Sequence, residues 1–310
     1  LSYISDNVKA VELEVTEQSL IKRAKQVLYA SGYIIINDQN SIMLFDETGA
    51  FIRQIGSAGQ GPEEYTGIQS ITADFKNEKV FVLSRGNKLI CYDFDGTFVK
   101  GASGHNSSIM NYIYYVNDEL LLFSESIVPH KTNKMNRVVL YMVNDDFLKM
   151  DSLEVRMTDF NGIWINPFND RITNDGSNTY AYYSDITTNP FVYDTLYQLA
   201  DRKLVPFLNL NFKNKGLAVD GKKEMYIMNI YRSSRYVFSY YKSDSRNQFY
   251  CFCYDLKSGK SYNMKDGYTD DMHTGKKVVI RPFDSDANKF YYLHTNMDDS
   301  VKEEPNPTLY

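Results

Sequence analysis

The sequence predicts an all-β fold built from structural repeats, on the strength of two observations. The first is a phrase that occurs twice: an apolar strand ends in an aromatic residue and Asp, turns on Gly, and restarts as a strand with Phe. The copies span residues 42–52 and 89–99, and a looser third copy spans 252–262. The second is the aromatic content, 26 Tyr and 18 Phe beside one Trp, which suits half-buried pleated surfaces.

The spacing of the phrase predicts propeller blades. Phe45 and Tyr92 hold the same place in the two copies, 47 residues apart, a period typical of stacked or radial repeats. Each copy lies in a unit with four short apolar stretches, and a unit of roughly 40 to 50 residues with four strands is the signature of a blade. The predicted strands are 26–30, 33–37, 42–45 and 51–55 in the first unit, and 68–73, 79–83, 89–93 and 97–100 in the second.

Four looser units follow, so we predict a six-bladed β-propeller of four-stranded antiparallel blades in a single domain, residues 1–310. The third unit contains two strands around a long polar insertion with His130, and five or seven blades stay open because the later units vary in length. Val11 and Leu13 alternate with Glu12 and Glu14, which predicts an N-terminal strand. It would close the last blade by pairing with the C-terminal strands, since closure removes exposed sheet edges. The looser units span about 109–155, 171–212, 225–264 and 276 onward.

Charge and hydropathy narrow the function classes. The net charge of −5 and the scattered basic residues argue against nucleic-acid binding, which needs a concentrated basic footprint. No apolar run reaches the length of a membrane span, and no signal segment opens the chain. Since the chain starts at Leu1, an export signal would lie upstream.

The three cysteines are predicted to be unpaired and structural. Cys91 and Cys253 each precede the Tyr-Asp of a repeat copy, so they occupy equivalent sites in different units, too far apart for a disulfide. Cys251 lies two residues from Cys253 on the same strand face, and with four His in the chain a zinc site is not expected. Small buried apolar side chains are the better interpretation.

Four stretches resemble the six-bladed β-propeller proteins of Bacteroidetes, relatives of the NHL-repeat propellers. They are the connector from Gly59 to Tyr65 (Gly-Gln-Gly-Pro-Glu-Glu-Tyr), Asp194-Thr195-Leu196-Tyr197 with Pro206 behind it, Asp270-Asp271 with Gly275 and Pro282, and Asn306-Pro307-Thr308-Leu309. Many members of that family are secreted lipoproteins. The resemblance therefore implies an extracytoplasmic location, in the periplasm or at the cell surface, with a lipid anchor upstream of this chain. It implies no particular activity.

The residue patterns favour binding over catalysis. The Gly56-x-x-Gly59-x-Gly61 run is followed by Pro62, without the Lys or the helix of a phosphate loop, so it predicts a blade-to-blade crossover. Adjacent carboxylates face opposite ways on a strand, and the four His lie in different units without an activated Ser or Cys beside them. We therefore predict no catalytic residue, no metal ligand and no cofactor. The expected function is an extracytoplasmic binding or scaffold protein for a glycan, a peptide or a partner protein; the alternative is a lactonase-like or lyase-like enzyme with one divalent cation, such as calcium, in the central channel.

If a ligand binds, strand alternation predicts where. The blade-to-blade crossovers and the loops between second and third strands lie on one face, where a ring of blades makes a concave surface. Trp and Tyr supply stacking area there, and Arg supplies forked donors. For Trp164 the alternative is that its ring fills a gap between two blades. The predicted lining is Tyr65, Arg85, Trp164, Arg171, His273 and Arg281.

Overall fold

The computed structural model describes residues 1–103, 110–160, 168, 170–185, 191–212, 223–243, 248–295 and 305–310. Throughout these residues the regular secondary structure consists of β-strands, and there is no helix. In chain order the strands are β1 (Val11–Glu12), β2 (Gln26–Ala30), β3 (Tyr33–Asn37), β4 (Ile42–Asp46), β5 (Phe51–Gln54), β6 (Ile68–Asp74), β7 (Lys79–Ser84), β8 (Lys88–Asp93), β9 (Phe98–Ala102), β10 (Met110–Val116), β11 (Glu119–His130), β12 (Asn133–Val143), β13 (Lys149–Asp159), β14 (Ile172–Asn174), β15 (Thr179–Ala181), β16 (Thr195–Ala200), β17 (Lys203–Asn209), β18 (Met225–Arg232), β19 (Tyr236–Ser243), β20 (Gln248–Asp255), β21 (Ser261–Lys265), β22 (Tyr268–Thr269), β23 (Lys277–Val278), β24 (Arg281–Phe283), β25 (Asp286–Tyr291), β26 (Leu293–His294) and β27 (Thr308–Leu309).

The strands form four-stranded sheets in which each strand pairs with the next one along the chain. These sheets are β2–β5, β6–β9, β10–β13, β14–β17 and β18–β21, and smaller sheets are β22-β23, β24-β25 and β1-β27-β26. An antiparallel meander of four strands is the topology of a propeller blade. The prediction of an all-β chain is therefore confirmed for the described residues, and that of four-stranded units for the five larger sheets. The last predicted unit, from about residue 276, forms smaller sheets instead, and the number of six blades stays a prediction.

The contacts between residues group the chain into two compact units. Unit 1 comprises Leu1–Val8, Ile127–Val138 and Leu153–Tyr292, and unit 2 comprises Lys9–Ser126, Val139–Ser152 and Leu293–Tyr310. The strands β11, β12 and β13 each contribute residues to both units. That residues 1–310 form one domain stays a prediction.

The first two copies of the repeated phrase form the same turn. The Asp46 amide donates to the Ala50 carbonyl, and the Gly49 amide donates back to the Asp46 carbonyl. Asp93, Thr97 and Gly96 repeat this pattern in the next sheet. The turn needs Gly because φ is +93° at Gly49 and +87° at Gly96, a region that other residues rarely adopt. In the third copy the turn is one residue longer: the Asp255 amide donates to the Lys260 carbonyl, and the Gly259 amide donates to the Asp255 carbonyl.

In unit 2, strands from near the two ends of the chain pair with each other. Val11 pairs with Leu309, which also pairs with Leu293, so the N-terminal strand lies in one sheet with the last strands of the chain. The predicted pairing of the N-terminal strand with the C-terminal strands is confirmed for Val11–Glu12. The Asn306 side chain fixes the preceding segment, since it accepts from the Ile21 amide and donates to the carbonyls of Glu14 and Ser19.

The cysteines lie in the cores of their sheets. Cys91 in β8 and Cys253 in β20 both belong to the third strand of a four-stranded sheet, as the repeat alignment predicts. Cys91 is fully buried, and Cys251 and Cys253 are 1% exposed, so the prediction of buried cysteines is confirmed. All three are free thiols.

The third sheet differs from the prediction of a long polar loop. The strands β11 and β12 continue through most of that segment and meet at a turn at Lys131. His130 is thus the last residue of β11. The polar residues mislead because both faces of this hairpin end are exposed, so it lacks the alternation that identifies a half-buried strand.

Candidate ligand-binding surface

In unit 2 the backbone brings together the loop ends of the first two four-stranded sheets. The amide of Ile68, the first residue of β6, donates to the carbonyl of Gln39 between β3 and β4. The amide of Arg85, between β7 and β8, donates to the carbonyl of Gly67 just before β6. The loops between second and third strands therefore lie beside the start of β6, as strand alternation predicts.

The glycine-rich connector before this point is a structural crossover. The Glu64 carboxylate accepts from the Gly61 amide at 2.8 Å, and the Lys88 ammonium donates to the carbonyls of Gly61 and Glu64 at 2.7 and 2.6 Å. A Cβ on Gly59 would lie 1.9 Å from the Glu64 carboxylate, which explains the glycine there. Amides that a phosphate would need are engaged within the protein, in agreement with the predicted crossover.

Tyr65 lies at the end of this connector and is fully buried. Its hydroxyl donates to the Ile55 carbonyl at 3.3 Å, and its ring meets that of Tyr92 edge to face. Desolvation raises the pKa of its hydroxyl to about 12. Tyr65 thus packs in the core beneath the loop surface, and its contact with a ligand stays a prediction.

Arg85 lies on the exposed surface at this end of unit 2, beside two further cations. Its side chain crosses Gly67, where an added Cβ would come within 3.1 Å of the Arg85 Nε atom. The Lys25 ammonium donates to the carbonyls of Ile68 and Gln69, at 3.2 and 2.7 Å. Arg23 is exposed and precedes Lys25 by two residues. We call Arg23, Lys25 and Arg85 the cationic cluster.

The electrostatics of the cationic cluster favour an anion. Burial lowers the pKa of Lys25, and the positive charges of Arg23 and Arg85 lower it further. Across the described part of unit 2, no carboxylate lies within ion-pair distance of the Arg23 or Arg85 guanidinium. The nearby Asp38 carboxylate accepts from the backbone amide of Arg23. Arg23 and Arg85 thus carry positive charge at the surface without a carboxylate at ion-pair distance in the described part of unit 2.

The sequence predicted only Arg85 of this cluster. Arg23 and Lys25 were missed because they precede the first strand of the first sheet, and the prediction considered crossovers after that sheet. The signal was present in the run Lys22-Arg23-Ala24-Lys25, which places three cations immediately before β2. A basic run at the start of a first strand belongs to the same face as the loops between second and third strands.

In unit 1 the predicted residues Arg171 and Arg281 pack against aromatic rings. Arg171 is 2% exposed, and its guanidinium carbon lies 5.1 Å from the centroid of the Tyr183 ring. Arg281 begins β24, with its guanidinium carbon 5.1 Å from the centroid of the Phe168 ring. Cation–π contacts of this kind stabilise a packed arginine. Whether either residue contacts a ligand stays a prediction.

A buried carboxylate accompanies these arginines. Asp170 is 5% exposed, and its carboxylate accepts from the Asn229 side-chain amide at 2.9 Å. Burial raises the pKa of the Asp170 carboxyl, and the positive charge of Arg281 only partly opposes this. Arg281 therefore lies beside a carboxyl group that burial holds towards its neutral form.

The remaining predicted site residues are His273 and Trp164. His273 is exposed, and its Nε2 atom lies 3.0 Å from the Val8 carbonyl oxygen within unit 1. Its backbone amide donates to the Asp270 carboxylate, which also accepts from Thr274. Trp164 lies outside the described residues, so both of its predicted roles stay predictions.

Sequence reasoning also missed a buried ion pair in unit 1. The Lys223 ammonium lies 3.0 Å from the Asp185 carboxylate, and both side chains are at most 2% exposed. Arg156 donates to the carbonyls of Tyr183 and Ser184 at 2.9 and 2.8 Å. Burial lowers the pKa of Lys223 although Asp185 opposes this. A buried, paired group of this kind joins neighbouring strands and is not accessible to a ligand.

Two further properties concern metals and membranes. Within the described ranges, no group of three or more His, Cys, Asp or Glu side chains is arranged to hold a metal ion. In the same part of the chain, no helix is long and apolar enough to cross a membrane.

The fold defined by these sheets is propeller-like, with repeated four-stranded antiparallel meanders. Residues 1–309 match a domain of unknown function, DUF4934, and the chain belongs to the DUF4934 family. The narrower resemblance to NHL-repeat propellers stays a prediction. No curated protein matches the chain in sequence.

Three solved structures match the chain at low sequence identity. A candidate exported protein from Bacteroides fragilis is similar, with 18% identity and a TM-score of 0.71 over 98% of this chain and 93% of that chain. The WD40 domain of Neurospora crassa Pan2 matches with 10% identity and a TM-score of 0.48 over 87% of this chain and 71% of its own. The β-propeller domain of Cps50 (Swd1) from Myceliophteria thermophila matches with 9% identity and a TM-score of 0.46, over 82% and 90% of the two chains. The last two scores are too low to support a conclusion about this chain.

Proposed function

We propose that this chain is a non-enzymatic, extracytoplasmic binding protein that recognises its ligand at the cationic cluster of unit 2. The observation that carries the proposal is the surface position of Arg23 and Arg85 beside Lys25, with no carboxylate within ion-pair distance of either guanidinium in the described part of that unit. Opposite charges usually neutralise such a group when its role is structural. Exposed guanidinium groups without a carboxylate at ion-pair distance, at the loop end of a sheet pair, are typical of a surface that binds an anionic group.

The location outside the cytoplasm rests on two supports. The Bacteroides fragilis protein, whose structure is similar over nearly the whole chain, is described as a candidate for export. The resemblance to secreted lipoproteins of Bacteroidetes agrees with this. We propose a lipid anchor upstream of the chain, with either the periplasm or the cell surface as the location.

The proposal includes the architecture. Six blades in one domain, residues 1–310, would bring the loop ends of all sheets to a common face, as in ring-shaped repeat proteins. The four-stranded meanders and the pairing of Val11 with Leu309 support this arrangement. The expected ligand is a glycan, a peptide or a partner protein.

The test is a binding screen with two charge-reversal variants. The full chain is immobilised and screened against a panel of polysaccharides and a peptide library, and each hit is titrated against Arg85→Glu. The matched control is Arg53→Glu, an exposed arginine of the same unit whose guanidinium donates to the Asp95 carbonyl at 2.6 Å.

We expect Arg85→Glu to weaken binding by about tenfold or more, since charge-assisted hydrogen bonds are the strong ones in recognition. Arg53→Glu should change the affinity by less than about twofold, as expected of a remote surface charge. A hit that binds Arg85→Glu as tightly as the unmodified chain would contradict the proposed surface.

A further inference from the structure

Two cations, Arg85 and Lys25, contact the short backbone segment from Gly67 to Gln69. Arg85 crosses Gly67 closely enough that a Cβ would lie 3.1 Å from Nε and 3.2 Å from the Cδ atom of its side chain. The Lys25 ammonium is fixed on the same segment by the carbonyls of Ile68 and Gln69. Gly67 has φ of +130°, a backbone conformation that favours glycine, and a larger residue there would also have to displace the Arg85 side chain by a few tenths of an ångström.

The fixed ammonium and the two arginines differ in what they can offer a ligand. Lys25 uses two of its three N–H donors on backbone carbonyls, so it acts mainly as a fixed positive charge. The exposed guanidinium groups of Arg23 and Arg85 each present a planar fork of donors. A fork of this kind matches two oxygens of one anionic group.

The number of cations in the cluster and the net charge of the chain limit the size of the anionic group that can bind. Three cations suit one small anionic group, whereas the net charge of −5 over the whole chain disfavours a long polyanion such as a nucleic acid. The Asp38 residue is 7% exposed, and its carboxylate accepts from the Arg23 backbone amide. It therefore fixes the backbone beneath Arg23 and leaves the exposed fork available.

We propose that the cationic cluster binds a single oxyanion group of the ligand, a carboxylate, sulfate or phosphate, through the Arg85 and Arg23 guanidinium groups over the fixed charge of Lys25. This inference rests on the proposed function and adds the chemical class of the group that is recognised. Two oxygens of the group would accept from the Arg85 fork, and a further contact from Arg23 would fix its orientation. Neutral ligands would lack this contact.

The experiment uses small anions as probes of the full chain. The midpoint of thermal unfolding is measured against increasing sodium acetate, sodium sulfate or sodium phosphate at millimolar concentrations, with the ionic strength kept constant by sodium chloride. Specific binding to the folded chain raises the midpoint in a saturable way. General salting-out by sulfate raises it for every variant alike, so each curve is compared with those of Arg85→Gln, Arg23→Gln and the control Arg53→Gln.

We expect at least one probe to give a saturable rise that Arg53→Gln retains and that Arg85→Gln or Arg23→Gln weakens by about tenfold in apparent affinity. A preference for acetate indicates that the recognised group of the ligand is a carboxylate. A preference for sulfate or phosphate indicates that it is a sulfate or a phosphate group, respectively. The inference is overturned if no probe gives a saturable rise, or if Arg53→Gln and Arg85→Gln lose it equally. In that event, a neutral hit from the ligand screen whose binding still depends on Arg85 would leave the proposed function standing.

Discussion

Removing the Asn306 side chain tests how much its hydrogen bonds to the segment before β2 contribute to the stability of the chain. Asn306 is 7% exposed, and its amide makes three hydrogen bonds: from Ile21 N–H at 2.7 Å, and to the Glu14 and Ser19 carbonyls at 2.8 Å each. The partners precede Asn306 by 285 or more residues. The Asn306→Ala substitution leaves the Ile21 amide and the Ser19 carbonyl without this partner, whereas the Glu14 carbonyl keeps the Ser19 hydroxyl, which donates to it at 2.7 Å.

The magnitude follows from these three bonds. Each intramolecular hydrogen bond contributes about 1 kcal/mol net, so the free energy of unfolding should fall by roughly 3 kcal/mol. Partners that remain buried without water would add to this value. Asn306→Asp keeps the acceptor for Ile21 but turns a carboxylate oxygen towards the two carbonyls, so it should destabilise the chain at least as much.

Urea denaturation measures the change, with Asn209→Ala as the control. Asn209 is exposed, and its side-chain amide donates to the Thr195 hydroxyl at 2.7 Å on the surface. A surface substitution of this kind should change stability by no more than about 0.5 kcal/mol. The expected role of Asn306 is refuted if Asn306→Ala lowers the free energy of unfolding by less than about 1 kcal/mol, or by no more than Asn209→Ala does. In either case Asn306 would not stabilise the contact between the N-terminal and C-terminal segments.

Three further outcomes are expected. Asp284 is half-buried as a residue, and desolvation of its carboxyl raises its pKa well above the usual value, with a smaller contribution from the charge of Asp170. The unfolded chain releases this proton near pH 4, whereas the folded chain retains it to higher pH. The Asp284 carboxyl therefore lowers the stability of the folded chain as the pH rises. Asp284→Asn should therefore stabilise the chain at pH 8 by roughly 1.4 kcal/mol for each unit by which the pKa is raised and should have no effect near pH 3, and a loss of stability at pH 8 by thermal unfolding would contradict this sign. Burial raises the pKa of Cys91 to about 11 and that of Cys251 and Cys253 to about 12. A thiol reagent at pH 8 should therefore react slowly with the native chain, and after denaturation without reductant it should count three thiol groups. A count of one would show that a disulfide exists. Metal analysis of the chain purified without chelator should show less than one calcium or zinc ion per chain. EDTA should leave the midpoint of thermal unfolding unchanged. One stoichiometric ion would instead favour the enzyme alternative.

Much of the strand pattern could be predicted because it depends on neighbouring residues. β2 and β3 have the bounds that the alternation of apolar residues and the turns between them predict. The turns at Gly49 and Gly96 follow from the phrase itself, since a positive φ after an aromatic-Asp strand end requires glycine. The pairing of the N-terminal strand with the C-terminal strands was also predicted, because such closure removes exposed sheet edges; the register of Val11 with Leu309 comes from the structure.

The candidate surface could be predicted only in part. Strand alternation placed Arg85 on the loop end correctly, yet the same reasoning also selected Tyr65 and Arg171, which are at most 2% exposed. Loop position identifies the end of the sheet on which a residue lies. It does not determine whether the side chain points into the core, because that direction depends on the packing of neighbouring sheets.

By itself, the sequence determined the class of structure: an all-β chain, repeated four-stranded sheets, the glycine turns, and buried cysteines at matching places in the repeat. Each of these follows from interactions over a few residues or from a pattern that recurs. Only the tertiary structure decided that Lys25 is fixed on the carbonyls of Ile68 and Gln69 near Arg85, and that Asn306 binds the segment before β2. Such contacts join residues that are distant in the chain, and their geometry is set by how the sheets pack, which no local pattern records.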